Sequence, residues 1–261
     1  MKQDNVSGSP QQLLLGLRIG AGPLDSVVER ALHSVDKHGA CFKFACANPH
    51  SLVAAQNDAE FLRALRHCDA TVADGIGVTL VARLAGVHVG PRITGHDFFS
   101  RMMASLDRRG GRAFFFGSSD SVLSAIAARA ACDYPHVIVE SLSPPYGAWS
   151  KEQNEAMVAH IRARAPDVLW VGMTAPRQEK WVAENAARLG VPVIGSIGAV
   201  FDYYAGTVRR APRWLCRLGL EWAYRLAHEP VRLWRRTLVS APMFLALVLR
   251  ERLRLALAGR A

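Results

Sequence analysis

The sequence predicts an α/β fold: a Rossmann-like, mostly parallel sheet covered by helices, with a basic helical segment at the C-terminus. Three observations carry this. Short apolar runs of strand length alternate with longer stretches of helical period, a pattern of strand–helix–strand units rather than of a sandwich or a bundle. Half of the 261 residues are hydrophobic, enough to bury a core and too many for a disordered chain. Charge is also segregated. Residues 209–261 hold 12 arginines against 3 acidic residues, whereas residues 1–208 hold 20 basic and 19 acidic side chains, so nearly all of the net +10 lies at the C-terminal end. The expected division is a polar, mobile N-terminus over 1–12, an α/β domain over 13–208, and a basic amphipathic appendage over 209–261.

Taken in order, Val27, Val28, Ala31, Leu32 and Val35 stand at helical spacings and predict a helix over Leu24–Lys37, entered from Gly22-Pro23. Cys41–Ala47 has the apolar density of a buried strand, and Asn48-Pro49 closes it because a residue before proline avoids helical geometry. One helix is expected over Leu52–His67, then a short strand at Ala70–Val72, a turn at Gly75 and Gly77, and a helix beginning at Val78. The loop Gly90–Gly95 leads into a helix over His96–Arg108. Arg112–Phe116 is strongly strand-like, Gly117-Ser118-Ser119 turns the chain into a helix over Ser121–Ala131, and Val137–Ser141 is the next strand. Ser150 is placed to cap a helix, with Gln153 completing a capping box. Asp167–Val171 and Val191–Ile197 are the remaining strands, and Pro176 opens the helix Arg177–Leu189 between them.

The tail differs in character. Trp214, Leu215, Leu218, Trp222 and Leu226 interleave with Arg210, Arg213 and Arg217, and Trp234 stands among Arg232, Arg235 and Arg236. Helices with an arginine face and boundary aromatics suit an anionic membrane surface. A solvated face on a helical cap is the plainer alternative, and nucleic acid is a third partner for such charge. The apolar run Leu238–Leu249 contains Ser240 and Pro242 and falls short of the roughly 20 residues a spanning helix needs. The five cysteines have no metal-ligand spacing, and their odd number suits free thiols. No basic stretch followed by an apolar run opens the chain, so a secretory signal is not expected.

No GxGxxG fingerprint follows an early strand and no GxxxxGK[ST] loop occurs, which removes support for dinucleotide reduction and P-loop hydrolysis. HExxH and GxSxG are missing too. In parallel sheets, ligands collect beyond the carboxyl ends of the strands. Asn48-Pro49, Asp74-Gly75, Gly117-Ser118-Ser119 and the loop before Pro176 fall there. A carboxylate at Asp74, presented by a glycine turn, can take a proton from a sugar hydroxyl; it can equally cap the next helix. Arg92, in a Gly/Pro loop, can clamp a phosphate or be a surface charge. In Pro176-Arg177-Gln178-Glu179-Lys180, Gln178 can bond sugar hydroxyls and Arg177 can meet phosphate, while a solvent-facing first turn is the plainer alternative and suits Glu179. Backbone N–H groups of Gly117-Ser118-Ser119 can hold a diphosphate.

Together these segments resemble the WecG/TagA/CpsF family of bacterial glycosyltransferases, including its exopolysaccharide branch of xanthan-type assembly enzymes, over residues 13–245. The resemblance rests on Ala45–Pro49, Ala73–Gly77, Arg92–Asp97, Pro176–Trp181, Gly198–Asp202, Arg210–Pro212, Glu221-Trp222 and Glu229–Leu233, in that order. It implies an inverting hexosyltransferase at the cytoplasmic face of the inner membrane, bound peripherally. The donor is a UDP-sugar, of glucose or N-acetylmannosamine type, and the acceptor an undecaprenyl-diphosphate-linked saccharide in exopolysaccharide or surface-glycan synthesis. By motif position Asp74 is the general base, and Asn48, Arg92 and Gln178 contact sugar or diphosphate. Cys46 stands where many relatives carry threonine, and a thiol is the weaker hydrogen-bond partner. Arg210, Arg213, Arg217, Arg225 and Arg232 are the tail's candidates for phosphate or membrane contact.

No DxD pair is present, so arginines are expected to replace a divalent cation, and neither metal nor other cofactor is expected. The alternatives are a non-catalytic basic membrane adaptor of a polysaccharide assembly complex, or a nucleic-acid binder, which lacks a recognition module. The transferred sugar, its linkage and the oligomeric state stay open.

Overall fold

Except for the largely exposed edge strand at 138–142, strands of the main sheet alternate between two covered faces, and that alternation explains most of the architecture. The computed structural model describes residues 13–37, 40–209, 211–212, 214–215 and 219–258. A small antiparallel hairpin, β1 (Leu13–Leu14) with β2 (Leu17–Arg18), precedes the main sheet. That sheet contains β3 (Phe42–Ala47), β4 (Ala70–Ala73), β5 (Arg112–Phe116), β6 (Ile138–Leu142), β7 (Val168–Val171) and β8 (Val193–Ser196). Their order is β4-β3-β8-β7-β5-β6, and every pairing is parallel.

Phe42, Phe44, Ala113, Phe115, Val168 and Trp170 point to one face, where they pack under α1 (Leu24–Lys37), α5 (Gly95–Asp107), α6 (Asp120–Asp133) and α9 (Val200–Ala205). Phe114, Phe116, Leu169 and Val171 point to the other, beneath α7 (Lys151–Arg164) and α8 (Arg177–Leu189). Ala45 and Ala47 share that second face with α2 (Pro49–Gln56), α3 (Ala59–Arg66) and α4 (Ile76–Leu84). Two-sided burial is what a parallel sheet requires, and it makes the strands read as continuous apolar runs. The ring stack of Phe44 on Phe98, at 4.0 Å between centroids, anchors α5 to β3.

Two expectations change. The single helix over Leu52–His67 is two helices, because Asp58 interrupts it: its Oδ1 accepts the Phe61 N–H at 3.0 Å and caps a new start. The first of the pair begins earlier, at Pro49, with Asn48 as its cap. The hairpin β1-β2 is an addition, too short to leave a period in the sequence.

The C-terminal part forms α10 (Glu221–His228), α11 (Pro230–Trp234), a π-helical turn over Arg235–Val239, and α12 (Ser240–Ala258). α12 packs on α2 and α4. Phe244 and Val248 are buried in the same cluster as Leu14 and Phe61, the Leu15 N–H donates to Glu251 Oε2 at 2.9 Å, and His50 Nδ1 lies 2.9 Å from Ser240 Oγ. Among the described residues no helix is long and apolar enough to cross a membrane. Arg210, Arg213 and Arg217 lie outside the described residues. So does the side chain of Arg232, although its backbone belongs to α11.

Candidate active site

Because every strand of the main sheet runs the same way, the residues following β3, β4, β7 and β8 emerge along one edge. Asp74 follows β4 there, and its N–H donates to the Ala47 carbonyl at 2.8 Å, which ties it to the end of β3. The turn is made by Gly75 at φ +95°, a conformation that suits glycine and would strain a side chain. Gly75 is also the N-cap of α4, without any side-chain cap bond. Asp74 is therefore not the helix cap, and among the described residues nothing hydrogen-bonds its carboxylate.

Burial pushes the Asp74 carboxyl up to about 6; Glu221 and Asp97 push the same way, while Arg92 and Arg225 oppose them. Arg92 Nη2 lies 3.2 Å from Glu221 Oε2, so the loop after α4 is joined to α10. The Ile93 N–H donates to the Ala73 carbonyl at 3.3 Å and holds that loop beside β4. Arg225, one turn on from Glu221, places its guanidinium 5.5 Å from the ring centre of Tyr203. The Tyr203 hydroxyl is buried without a partner among the described residues, and burial raises it to about 12. Two chain segments far apart in sequence thus bring Asp74, Arg92, Tyr203, Glu221 and Arg225 to one place.

Cys46 lies beside this group. Its sulfur packs on Gly95, where a Cβ would stand 3.2 Å away. Burial, with Asp74, Glu179 and Asp97 adding, pushes its thiol well above the ordinary range, so it stays neutral and is no nucleophile. Asp97 is engaged with Thr94 in the capping box of α5. Asn48 is the cap of α2: its Oδ1 accepts the Ser51 N–H at 2.9 Å.

The first turn of α8 corrects an expectation. Glu179 does not face solvent; it is 3 % exposed, and Gln178 is 5 % exposed. Gln178 Nε2 donates to Glu179 Oε1 at 2.8 Å, while Gln178 Oε1 and Glu179 Oε2 are buried without partners among the described residues. Burial pushes Glu179 up to about 7, against the hydrogen bonds from Gln178 and its own amide. Gln178 lies beside Gly198, just past β8, where a Cβ would stand 3.5 Å from its Oε1. Strands are spaced by about 4.8 Å, so the ends of β4 and β8, with β3 between them, stand roughly 10 Å apart.

Other candidates are placed elsewhere. The Arg177 guanidinium lies over the Trp149 ring, 4.0 Å from its centre, and donates to the Gly147 carbonyl, so its contacts are with the loop before α7 and not with the Asp74 group. Ser119 caps α6 by accepting the Val122 N–H. Among the described residues no three His, Cys, Asp or Glu side chains form a metal-binding group. Tyr203 and the burial of Glu179 were not readable from spacing; Glu221 had a signal, since Glu221-Trp222 is one of the segments that carry the resemblance.

Comparison with known proteins gives the family of the chain. Two curated relatives, from Bacillus subtilis (strain 168) and Bacillus spizizenii (strain ATCC 23059 / NRRL B-14472 / W23), are each 33% identical over 205 residues, 78% of this chain and 77% of theirs. Each is described as an N-acetylglucosaminyldiphosphoundecaprenol N-acetyl-beta-D-mannosaminyltransferase. The model of the glycosyl transferase WecG/TagA/CpsF family matches residues 12–257, nearly the whole chain, and the protein belongs to that family.

Proposed function

We propose that the protein transfers a hexose from a UDP-sugar to an undecaprenyl-diphosphate-linked saccharide, inverting the anomeric carbon in one displacement. The observation that carries this is the Asp74 carboxylate: without a hydrogen bond among the described residues, raised by burial to about 6, and flanked by Arg92 and Arg225. In the proposed step the acceptor hydroxyl attacks the anomeric carbon opposite UDP, the bond from that carbon to the diphosphate oxygen breaks, and the hydroxyl proton passes to Asp74. A carboxylate near 6 is a stronger base than an ordinary one near about 4, yet stays mostly ionised at neutral pH. Arg92 and Arg225 offset the charge that develops on the leaving diphosphate, in place of a divalent cation. Turnover is accordingly unaffected by EDTA.

The acceptor class follows the relatives' descriptions. The donor sugar is of glucose or N-acetylmannosamine type, and Cys46 is a position where this chain's preference can depart from a threonine-bearing relative. Exopolysaccharide or surface-glycan assembly is the setting. Peripheral binding to the anionic cytoplasmic leaflet is supported by exposed apolar residues next to the site. Ile76, Leu80 and Leu84 form an exposed stripe on α4 that starts two residues after Asp74. α12 packs beside α4, and Trp222, Trp234, Leu249 and Leu253 are exposed on the C-terminal helices. The division at residue 208 is one of role, with Arg225 serving the phosphate of the donor or acceptor.

The test is product analysis. Purified protein, vesicles carrying lipid-diphosphate N-acetylglucosamine or glucose, and UDP-N-acetylmannosamine or UDP-glucose should yield a lipid product heavier by one sugar residue. Lipid binding with no product from any pair would favour the adaptor reading instead.

A further inference from the structure

We infer that Glu179 is a positioning residue that decides which atom of the Gln178 amide meets the donor sugar. The inference rests on the reading of Gln178 as a donor-sugar contact, and goes beyond it by assigning a task to a neighbour that touches no substrate.

A primary amide offers two opposite ends, a donating NH2 and an accepting carbonyl, and its surroundings decide which faces the ligand. Here Gln178 Nε2 donates to Glu179 Oε1 at 2.8 Å. That bond commits the NH2 end to the protein and leaves Gln178 Oε1 as a buried acceptor with no partner among the described residues. Buried acceptors are seldom left unmet, so this one is reserved for a donor that arrives with the ligand. Its place fits that role. Gly198, just past β8, stands beside the amide, and a Cβ there would lie in ordinary contact, 3.5 Å from Oε1 and 3.6 Å from Nε2. A sugar hydroxyl donating to Gln178 Oε1 completes the arrangement.

The same geometry makes it sensitive to protonation. An ionised Glu179 can only accept, and so holds the amide in this orientation. Once Glu179 takes up a proton its hydroxyl becomes a donor, and an amide turned end for end would offer it the unmet Gln178 carbonyl. The acceptor meant for the sugar is then consumed. The titratable groups around Glu179 are the thiols of Cys46, at the end of β3, and Cys68, ahead of β4, both pushed up by burial with the Glu179 charge adding. Lys180, the next residue, is bound to Asp58 and Glu60 of the α3 segment. Among the described residues no cation pairs with Glu179. Its carboxyl lies near 7, so the orientation changes within the neutral range.

Calorimetric titration of the full chain with UDP-N-acetylmannosamine, UDP-glucose and UDP, between pH 5.5 and 8.5, tests this. For the UDP-sugar that wild type prefers, E179Q should raise the dissociation constant about tenfold at pH 8.5, the value of one lost hydrogen bond. The wild-type advantage should shrink toward pH 5.5. UDP alone should bind wild type and variant within twofold of each other. In a Q178A background, E179Q should have no further effect, because Glu179 acts through Gln178. Equal losses for UDP and UDP-sugar, or a full E179Q effect in the Q178A background, would overturn the positioning role in favour of a structural one. An E179Q variant matching wild type at every pH also overturns it. Wild type that binds none of the three nucleotides removes the transferase reading and this inference together.

Discussion

The sheet-and-helix body and the C-terminal helices treat large apolar side chains in opposite ways. In the body, Phe44, Phe98, Phe115 and Trp170 are at most 1 % exposed, sealed between the sheet and its helices. In the C-terminal part, Phe244 and Val248 are buried, but Trp222, Trp234, Val231, Leu249 and Leu253 are left in the open. One region spends its apolar surface on its own stability and presents Asp74 on a rigid edge. The other docks with a few residues, reaches Glu221 and Arg225 toward that edge, and leaves its remaining apolar side chains exposed, the surface that the proposed lipid docking would use. Such a division suits a reaction in which one partner is anchored in lipid.

The sharpest way to break the comparison is stability. Trp170→Ala should cost about 3–5 kcal/mol in urea unfolding, as large core truncations do, whereas Trp234→Ala should change it by less than about 0.5 kcal/mol. Similar losses at both positions would mean that the C-terminal aromatics are core after all. Next in size, Arg225→Ala should lower kcat about 100-fold through lost charge stabilisation at the diphosphate, with thermal unfolding unchanged. Smaller again, the triple change Trp222→Ser, Trp234→Ser and Leu253→Ser should lower transfer to vesicle-embedded acceptor about 10-fold and leave transfer to a short-chain, water-soluble acceptor intact. Loss on both acceptors would argue against lipid docking.

Smallest is Glu221→Gln. Removing that negative charge leaves Arg92 and Arg225 less opposed, so the acid limb of the rate profile, set by Asp74 near 6, should move to lower pH. The sign for stability is the reverse of an ordinary ion pair. The Asp74 carboxyl is raised in the folded chain, so its contribution is fully present below the unfolded value near about 4 and is lost as pH rises through about 6. Neutralising it should therefore not destabilise the fold at pH 8.

Much of this was legible beforehand for identifiable reasons. Phe42–Ala47 and Val168–Val171 are buried on both faces, so each strand shows as an apolar run, and Ser150 with Gln153 forms the capping box that its spacing predicted. The position of Asp74 was legible, since a short apolar run before two closely spaced glycines marks a strand end, and the structure ends β4 at Ala73 and turns the chain at Gly75. Glu179 was not. Its burial depends on α8 packing against α3, a contact between segments over a hundred residues apart, and a charged residue in a first helical turn looks the same whether it faces water or a neighbour. The surroundings of Arg177 were hidden for a related reason: local sequence puts it beside Gln178, while its guanidinium lies over Trp149. Arg92, by contrast, gained a partner, Glu221, that no local pattern could supply.

The most direct measurement is the pH profile of kcat for wild type and Asp74→Asn, with UDP-sugar binding followed in parallel. The account predicts a wild-type rate that climbs through a midpoint near 6 and levels off. It predicts a variant that binds the donor within about twofold but turns over about 1,000-fold more slowly, with that limb gone. A variant that keeps the wild-type rate and the same ascending limb would show that the proton goes elsewhere.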